Sequence, residues 1–474
     1  MTVYRCEAAW LDDRVVRDVL IEVAGDRIAS VHSGASGDPR GRSGGSPDTA
    51  GPATPPGGPP RGGPPEGTQP RVTPLGVTPA GGTPRALRGL TVPGMANAHS
   101  HAFHRALRGR THGERGTFWT WRDGMYAVAE RLDPDSYFAL ACAVYAEMLQ
   151  AGITCVGEFH YLHHGPGGAL YAEPNAMGEA LVAAAGQAGI RITLLDTCYL
   201  AGGVGRPLQG IQQRFGDGDG ARWAERVDAL RPAPHARIGA AVHSVRAVPP
   251  AEVDVVADWA ARRGAPLHVH LSEQPAENDA CLAGYGVTPT RLLAEHGALG
   301  PCSTAVHATH LTADDIALLG GSGTYACLCP TTERDLADGI GPAPALAAAG
   351  SRITLGSDSH AVIDLFEEAR AVELDERLRS LRRGHFDGAA LLRAATVNGH
   401  ASLGWPEAGR IAAGAPADLV SIRLDTARTA GIDPAQVVFA ATAADIDTVV
   451  VGGREVQRQD AGPALARAIA AVTT

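Results

Sequence analysis

Three histidines occupy six positions in the segment "GMANAHSHAFHRA" (94–106), at the end of the short apolar run "LTVPGMANA". His99 and His101 are two residues apart, so on a β-strand both side chains point to the same face. Imidazole nitrogens are ligands for zinc and for several other transition metals. The H-x-H pattern therefore predicts a metal site, provided that other segments bring further ligands to the same place.

Further histidines follow apolar, strand-like runs along the chain. They are His160, His243, His268, His270 and His307. Asp358 follows the last such run, "RITLGS". One histidine at a strand end is more often structural, but five strands that end in histidine, with a carboxylate after the eighth, favour a common site. His268 and His270 share a strand face, and His270, nearer the carboxyl end, is the better ligand candidate.

Several imidazoles, one carboxylate and an open coordination position are typical of a catalytic Zn²⁺ site, with iron and manganese as alternatives. Such an ion lowers the pKa of a water molecule toward neutrality and so supplies a nucleophile. The chain contains no lysine, and all 41 basic residues are arginine. This excludes Schiff-base chemistry, a P-loop and a pair of metals bridged by a modified lysine, so one ion per chain is the simpler expectation.

The elements that must position these side chains alternate between apolar strands and amphipathic helices from residue 91 to about 400. The eight candidate strands are "LTVPGMANA", "ITCVGEF", "IRITLLD", "RIGAAV", "APLHVHL", "STAVHAT", "TYACLC" and "RITLGS". The clearest helix spans 134–150, with Asp133 as its cap, Pro134 in its first turn and Gly152 after its end. Eight β–α units over roughly 300 residues predict a (β/α)₈ barrel with its active site at the carboxyl ends of the strands. A doubly wound open sheet is the alternative, but no G-x-G-x-x-G follows the first strand.

Both ends of the chain are rich in strand-like segments, among them "VLIEVAGDRIASV" and "IDTVVVGGREV". We therefore expect an α/β fold: a distorted (β/α)₈ TIM barrel over 94–408 and a small β-sandwich domain built from 1–33, 86–93 and 409–474. Between them, 27 of the 52 residues of 34–85 are glycine or proline. A segment with so little to bury cannot offset its ordering entropy, so we expect a disordered insertion there.

The composition and charge of the chain limit the kinds of partner and the cellular compartment that we expect. The formal net charge of −10 argues against a nucleic acid or an acidic membrane as partner. We find no apolar stretch of membrane-spanning length, and the N-terminus lacks the apolar core of a signal peptide. The eight cysteines are mostly far apart and several lie in apolar runs, which is typical of buried free thiols. These features predict a cytoplasmic protein without a nucleic-acid or membrane partner.

The strand-end motifs "HSH", "HVHLSE", "VHATH" and "GSDSH" together resemble the amidohydrolase superfamily. Within it, "NAHSHAFHRALRG", "FWTWRDGMY", "EFHYLHH", "HSVRAV" and "DGI" are similar to the formimidoylglutamate deiminase family. That family releases ammonia from N-formimidoyl-L-glutamate during histidine degradation and leaves N-formyl-L-glutamate. The resemblance covers essentially the whole chain outside 34–85 and implies a homodimer. The alternative is another deaminase of the superfamily that acts on a purine or nucleoside-type ring.

The resemblance also implies roles for individual residues. Zinc would be held by His99, His101, His270 and Asp358. Glu273 would be the proton shuttle, because one nitrogen of the tetrahedral intermediate must be protonated before it leaves. His307 would donate a hydrogen bond to the attacking hydroxide and the tetrahedral centre. Asp358 would also accept the proton of the attacking water.

A dicarboxylate substrate needs cationic partners, and the family positions for them are occupied by Arg122 and Arg246, with Tyr161 and His243 as hydrogen-bond donors. Many family members have glutamine where this chain has His104, and a neutral imidazole also offers one donor and one acceptor. The resemblance thus implies a substrate contact at His104 too. The remaining nearby histidines, His163, His164, His310 and His360, are expected to be structural or to orient the ligands.

Overall fold

The computed structural model describes residues 1–33, 73–74, 83–112, 118–458 and 460–473, with the backbone alone for 73–74. The insertion predicted over 34–85 therefore lies outside the described residues except at 73–74 and 83–85.

The described strands fall into two groups, one at the chain ends and one in the middle. In chain order they are β1 Thr2–Leu11, β2 Arg14–Ala24, β3 Arg27–Ser33, β4 Thr73–Pro74, β5 Arg85–Pro93, β6 Met95–Ser100, β7 Ile153–His160, β8 Arg191–Cys198, β9 Ala236–Val242, β10 Leu267–Leu271, β11 Ser303–His307, β12 Tyr325–Leu328, β13 Ile353–Leu355, β14 Leu419–Ile422, β15 Ile446–Val451 and β16 Arg454–Glu455.

The helices lie mainly between the middle strands. They are α1 Phe118–Arg131, α2 Pro134–Gln150, α3 Ala176–Ala188, α4 Gly220–Ala229, α5 Pro250–Arg263, α6 Pro275–Tyr285, α7 Pro289–Glu295, α8 Ala313–Ser322, α9 Pro330–Asp335, α10 Ala343–Ala349, α11 Leu365–Ser380, α12 Gly388–Arg393, α13 Gly399–Ser402 and α14 Gly462–Thr473. Helix α2 begins as predicted, because the Asp133 carboxylate accepts the Ser136 N–H at 2.8 Å and Pro134 needs no partner for its nitrogen. Among the described helices, none combines the length and the apolar character needed to span a membrane.

Strands β6–β13 run parallel in sequence order and form a nearly closed barrel, which confirms the predicted fold class. All eight predicted barrel strands are present, but the first one is divided. Residues 90–93 belong to β5 of the other sheet, and the barrel strand begins at Met95. Gly94 lies between the strands of the two sheets. A Cβ atom at this position would lie 2.2 Å from the Thr154 hydroxyl oxygen, so there is no room for a side chain where the chain passes from one sheet to the other.

The barrel closes between its first and last strands through residues beyond β13. The His101 N–H donates to the Asp358 carbonyl oxygen at 3.3 Å, and the Asp358 N–H donates to the His99 carbonyl oxygen at 3.0 Å. Strand β13 has only three residues, so Asp358 provides this closing bridge to Ser100. Three predicted metal ligands are therefore part of the backbone seam that closes the barrel.

The terminal strands form a separate sheet in the order β16-β15-β14-β5-β1-β2-β3-β4. Strand β5 pairs with β1 from the N-terminal part and with β14 from the C-terminal part, so both ends of the chain build one sheet, as predicted. Its own apolar core includes Tyr4, Ile21 and Leu419. The domain boundaries given above stay a prediction.

A buried ion pair joins the barrel to the terminal sheet. Arg191 at the start of β8 donates from Nε and Nη2 to the two carboxylate oxygens of Asp418, at 2.9 and 3.0 Å. Asp418 also accepts the Gly452 N–H at 2.7 Å. Because both charges are buried, each needs the other to compensate its lost hydration.

We expect Arg191→Met to destabilise the protein by about 3–5 kcal/mol, because it leaves the Asp418 carboxylate buried and unpaired. The double variant Arg191→Met/Asp418→Leu should recover much of this loss, since it removes both charges. Urea unfolding measures both effects, with Arg5→Met of the exposed Arg5–Asp18 pair as the control. Equal unfolding midpoints for Arg191→Met and the wild-type protein would contradict this assignment.

Candidate metal centre and active site

The four predicted metal ligands converge at the carboxyl ends of the barrel strands. Asp358 Oδ1 lies 3.3 Å from His99 Nε2 and 3.4 Å from His101 Nε2. His270 Nε2 lies 3.1 Å from His99 Nε2. All four side chains are buried. Together they form one small site that is shielded from bulk water.

Hydrogen bonds to the backbone determine the tautomers of two of these histidines. His101 donates from Nδ1 to the Phe159 carbonyl oxygen at 2.9 Å, and His270 donates from Nδ1 to the His243 carbonyl oxygen at 3.0 Å. Because a carbonyl oxygen can only accept, each ring carries its proton on Nδ1 and turns an Nε2 lone pair toward the cluster. Burial also lowers the pKa of His101 to about 3 and that of His270 well below its usual value. Neutral imidazoles with converging lone pairs beside a carboxylate fit a bound divalent cation.

The backbone at these strand ends adopts an unusual conformation. Ser272, His307, Ala308, Asp358 and His360 all have positive φ angles, between 40° and 66°. Left-handed conformations cost a residue other than glycine about 1–3 kcal/mol, and they cluster at functional sites. Here they turn the ligand-bearing segments inward directly after the strands end.

Glu273 and His307 lie beside the cluster. His307 Nε2 is 3.7 Å from Glu273 Oε1 and 3.9 Å from Asp358 Oδ2. Burial lowers the pKa of His307, but the carboxylates of Glu273, Glu333 and Asp358 outweigh it and raise that pKa well above its usual value. Burial raises the pKa of Glu273. The pair thus combines a cationic imidazole with a carboxyl group that can take up a proton.

Glu333 is a site neighbour that sequence reasoning missed. Its Oε1 lies 3.5 Å from His307 Nδ1 and accepts the Cys329 N–H at 2.9 Å. The seventh barrel strand supplies no histidine, and Glu333 follows the end of that strand, β12, by five residues. An acidic residue shortly after the seventh strand is the signal by which the sequence could have identified Glu333.

A cavity next to the cluster is lined by every residue predicted to bind substrate. They are His104, Arg122, Tyr161, His243 and Arg246. The cavity also has apolar and aromatic walls that the sequence did not identify, from Phe118, Trp121, Met125, Tyr126, Tyr199, Phe215 and Leu336. Those residues come from three separate stretches of the chain, and only the fold brings them together.

The two arginines of this cavity have unsatisfied hydrogen-bonding groups. The Nε atoms of Arg122 and Arg246 are both buried and without a hydrogen-bond partner, and within the described residues neither guanidinium is in an ion pair. Arg122 stacks over Trp119, with its guanidinium carbon 4.4 Å from the ring centroid. For Arg246, nearby carboxylates outweigh the effect of burial and raise the pKa, so its charge persists. Both groups are therefore available to an anionic ligand.

His104 sits between the metal cluster and the cavity wall. Its Nε2 is 3.0 Å from the Tyr161 hydroxyl oxygen, and its ring centroid is 4.4 Å from that of His101. Burial holds the pKa of His104 well below its usual value, so the ring is neutral. Its Nδ1 is buried without a partner. The neutral ring keeps one donor and one acceptor, as the glutamine of many family members would.

Two strand histidines do not reach this cavity. His268 donates from Nε2 to the Ser402 carbonyl oxygen at 3.0 Å, and its pKa is lowered to about 3 by burial. His160 lies with His163 and Asp196 in a second cluster. There Asp196 accepts hydrogen bonds from the Arg226 guanidinium at 2.8 and 2.9 Å, so a cation would be repelled. We assign this second cluster a structural role.

The other nearby histidines have hydrogen-bond partners outside the cavity. His163 bonds to the Thr197 carbonyl oxygen at 2.9 Å, and His164 lies 3.0 Å from Asp217 Oδ1. His310 donates to the Asp338 carbonyl oxygen at 2.7 Å. His360 contacts the hydroxyls of Ser100 and Ser357.

Comparison with known proteins agrees with this arrangement. Residues 90–456 match the model of the amidohydrolase family. Formimidoylglutamate deiminase of Pseudomonas aeruginosa is 40% identical over 347 residues, which are 70% of this chain and 76% of that protein. The 8-oxoguanine deaminase of the same organism is 32% identical over 383 residues, 78% of this chain and 82% of that protein. The chain therefore belongs to the amidohydrolase family and is a hydrolase.

Solved structures support the same fold. An amidohydrolase from Brucella melitensis superposes with a TM-score of 0.84 and 31% identity, over 100% of both chains. A zinc-bound adenosine deaminase from Xanthomonas campestris gives a TM-score of 0.76 over 99% of this chain and 97% of that one. At 23% identity, this second similarity concerns the fold alone.

We expect the purified protein to contain metal held by the first cluster and not by the second. His270→Asn should abolish most of the metal content, because it removes a ligand whose Nε2 lies 3.1 Å from His99 Nε2 in the cluster. His163→Asn, in the cluster that Arg226 neutralises, is the matched control and should keep the wild-type content. Elemental analysis of the two purified variants is the measurement, and the reverse result would move the metal to the second cluster.

Proposed function

We propose that this amidohydrolase hydrolyses N-formimidoyl-L-glutamate to N-formyl-L-glutamate and ammonia, a reaction of histidine degradation. The observation that carries the proposal is the pair Arg122 and Arg246, two half-buried arginines of the cavity beside the metal cluster whose buried Nε atoms have no hydrogen-bond partner. The proposed substrate has two carboxylates and one amidine. The 40% identity to a formimidoylglutamate deiminase supports the same choice.

Two guanidinium groups in a cavity that is shielded from water bind best to a ligand with negative charges that compensate their own. Guanidinium binds carboxylate through paired, charge-assisted hydrogen bonds, which are stronger than neutral ones. A dicarboxylate satisfies both arginines at once, and Tyr161 and His243 are placed to add hydrogen bonds to it. His104, paired with Tyr161, contributes one further donor or acceptor on the same wall.

The second candidate is a ring deaminase, since relatives at 32% and 28% identity act on 8-oxoguanine and on methylthioadenosine or S-adenosylhomocysteine. The aromatic walls formed by Trp121, Tyr199 and Phe215 favour it, because such rings stack on flat ligands. A neutral ring, however, offers no anionic partner to Arg122, and it adds none to the protein carboxylates near Arg246. The arginines therefore favour the dicarboxylate.

In the proposed site, His99, His101, His270 and Asp358 hold one zinc ion per chain. When bound, the ion acts as a Lewis acid that lowers the pKa of water toward neutrality. Asp358 and Glu273 are placed to accept the proton of the attacking water. His307, whose pKa its three carboxylate neighbours raise, would donate from Nε2 toward the oxygen that attacks the formimidoyl carbon.

Attack by water gives a tetrahedral carbon that carries one oxygen and two nitrogens. Glu273 then delivers the first proton of the water to the terminal nitrogen, and the remaining hydroxyl proton follows it by way of Asp358 and Glu273. The C–N bond breaks, the nitrogen leaves as ammonia with both protons, and the C–O bond becomes the formyl carbonyl. Burial favours this transfer because it raises the pKa of Glu273 and so stabilises the protonated form of its carboxyl group. The arginines at the other end of the cavity hold the carboxylates still during both proton transfers.

Glu273→Gln should lower kcat at least about a hundredfold, because it removes the group that moves the proton. The variant should keep its metal, since Glu273 is not among the four proposed ligands. Steady-state kinetics and elemental analysis on one preparation test both statements. Retained activity would remove Glu273 from the proton path.

Each arginine should recognise one carboxylate of the substrate. We expect Arg122→Ala and Arg246→Ala mainly to raise KM, because both remove binding that is shared by the ground and transition states. Each variant should also lose discrimination against one of two analogues that lack a single carboxylate, N-formimidoyl-4-aminobutyrate and the isomer that keeps only the α-carboxylate. Kinetics on the three compounds measure this.

The matched control is Arg352→Ala, because Arg352 also stacks on an aromatic ring, Tyr325, but lies outside the cavity. It should leave KM and discrimination unchanged. Unchanged KM values for both cavity variants would move carboxylate recognition elsewhere and favour the ring deaminase.

A further inference from the structure

A line of buried polar side chains lies directly beneath the metal cluster and has no part in the chemistry derived above. Its members, which we call the buried path, are Asn97, Ser357, His360, Ser100 and Glu158. All five side chains are completely buried. Glu158, in the second barrel strand, lies at one end, and Asn97, in the first strand, lies at the other.

One backbone group orients the Asn97 end of the buried path. The Ser357 N–H can only donate, so the atom that it contacts at 2.9 Å is the amide oxygen of Asn97. The Asn97 NH₂ group then donates to Ser357 Oγ at 2.7 Å. Ser357 Oγ also lies 2.9 Å from His360 Nδ1 and is free to donate its hydroxyl proton to that nitrogen.

The remaining hydrogen bonds of the buried path lead from His360 to Glu158. With His360 accepting at Nδ1, its proton is on Nε2, which donates to Ser100 Oγ at 3.1 Å. Ser100 in turn donates to Glu158 Oε2 at 2.8 Å. The second oxygen, Oε1, accepts the Ala102 N–H at 2.6 Å. Glu158 thus has a hydrogen-bond partner at both oxygens, and every link of the path is made.

The buried path contacts the two segments that carry three of the metal ligands. Ser100 separates His99 from His101, and Ala102 follows His101 directly. Ser357 precedes Asp358, and His360 follows it by two residues. Asp358 and His360 both have left-handed backbones, with φ of 40° and 58°, so their segment needs outside support to keep its shape.

We propose that Glu158 is a positioning residue which, through the buried path, sets the affinity of the site for its metal. Its carboxylate fixes the backbone on either side of His101 and orients Ser100, and Ser100 orients His360 next to Asp358. Groups that orient metal ligands typically contribute ten- to a hundredfold to metal affinity. The inference rests on the proposed metal centre and is independent of the substrate.

The test is the dissociation constant for Zn²⁺, measured on the full chain by competition with a chromogenic chelator. Glu158→Gln keeps the shape but replaces one carboxylate oxygen with an NH₂ group, which either opposes the Ala102 N–H or reverses the hydrogen bond to Ser100. Either outcome disturbs the contacts on one side of His101. We expect Zn²⁺ binding to weaken about ten- to a hundredfold. The matched control is Glu368→Gln, since Glu368 is also fully buried and accepts from the backbone N–H and the hydroxyl of Thr331. Its Zn²⁺ affinity should stay at the wild-type value.

A double-mutant cycle separates a connected path from general loosening of the protein. Ser357→Ala removes a link near the other end of the path. Because either substitution already interrupts it, Glu158→Gln/Ser357→Ala should weaken Zn²⁺ binding by clearly less than the product of the two single effects. If Glu158→Gln gives no soluble protein, Ser100→Ala replaces it in the same cycle.

Equal Zn²⁺ affinities for Glu158→Gln and Glu368→Gln, or single effects that multiply fully, would overturn the proposal. A failure of the substrate assignment is distinguishable from this result, because no substrate enters the measurement.

Discussion

The seam between the first and last barrel strands is the constraint on which the site depends. Strand β13 is too short to pair fully with β6, and the gap is closed by backbone hydrogen bonds between Asp358 and the residues on either side of Ser100. The same peptide groups that close the barrel therefore place His99, His101 and Asp358 within reach of one another. Ligand geometry and barrel closure cannot vary independently, which explains why strained backbones and the hydrogen-bonded side chains of the buried path collect there.

Charge is distributed unevenly along the cavity. Carboxylates surround His307 at the metal end, and two guanidinium groups without partners lie in the same walls as the aromatic rings. In such a water-poor space these charges act strongly on whatever enters. An anionic molecule with a polar group that water can attack complements this pattern, whereas a neutral ring satisfies only the aromatic walls.

Much of the fold and part of the site could be predicted from the sequence, because strand ends and parity are local properties. His99 and His101 share a face on any β-strand, and Asp133 with Pro134 starts a helix wherever apolar residues follow at helical spacing. The break at Gly94 could not be read in this way, since it depends on the approach of Thr154 from another strand. Glu158 lies within an apolar run and gives no signal until its partners across the barrel are known. His160 fits the strand-end pattern equally well, yet Arg226 neutralises its cluster.

Ammonia release by the purified protein, after its metal content has been measured, tests the substrate class most directly. N-formimidoyl-L-glutamate, 8-oxoguanine and 5′-methylthioadenosine would be assayed side by side. We predict turnover of N-formimidoyl-L-glutamate alone, with about one zinc ion per chain as expected for a site of three histidines and one carboxylate. Turnover of either ring compound, with none of the formimidoyl substrate, would contradict the account and leave the two cavity arginines without their proposed purpose.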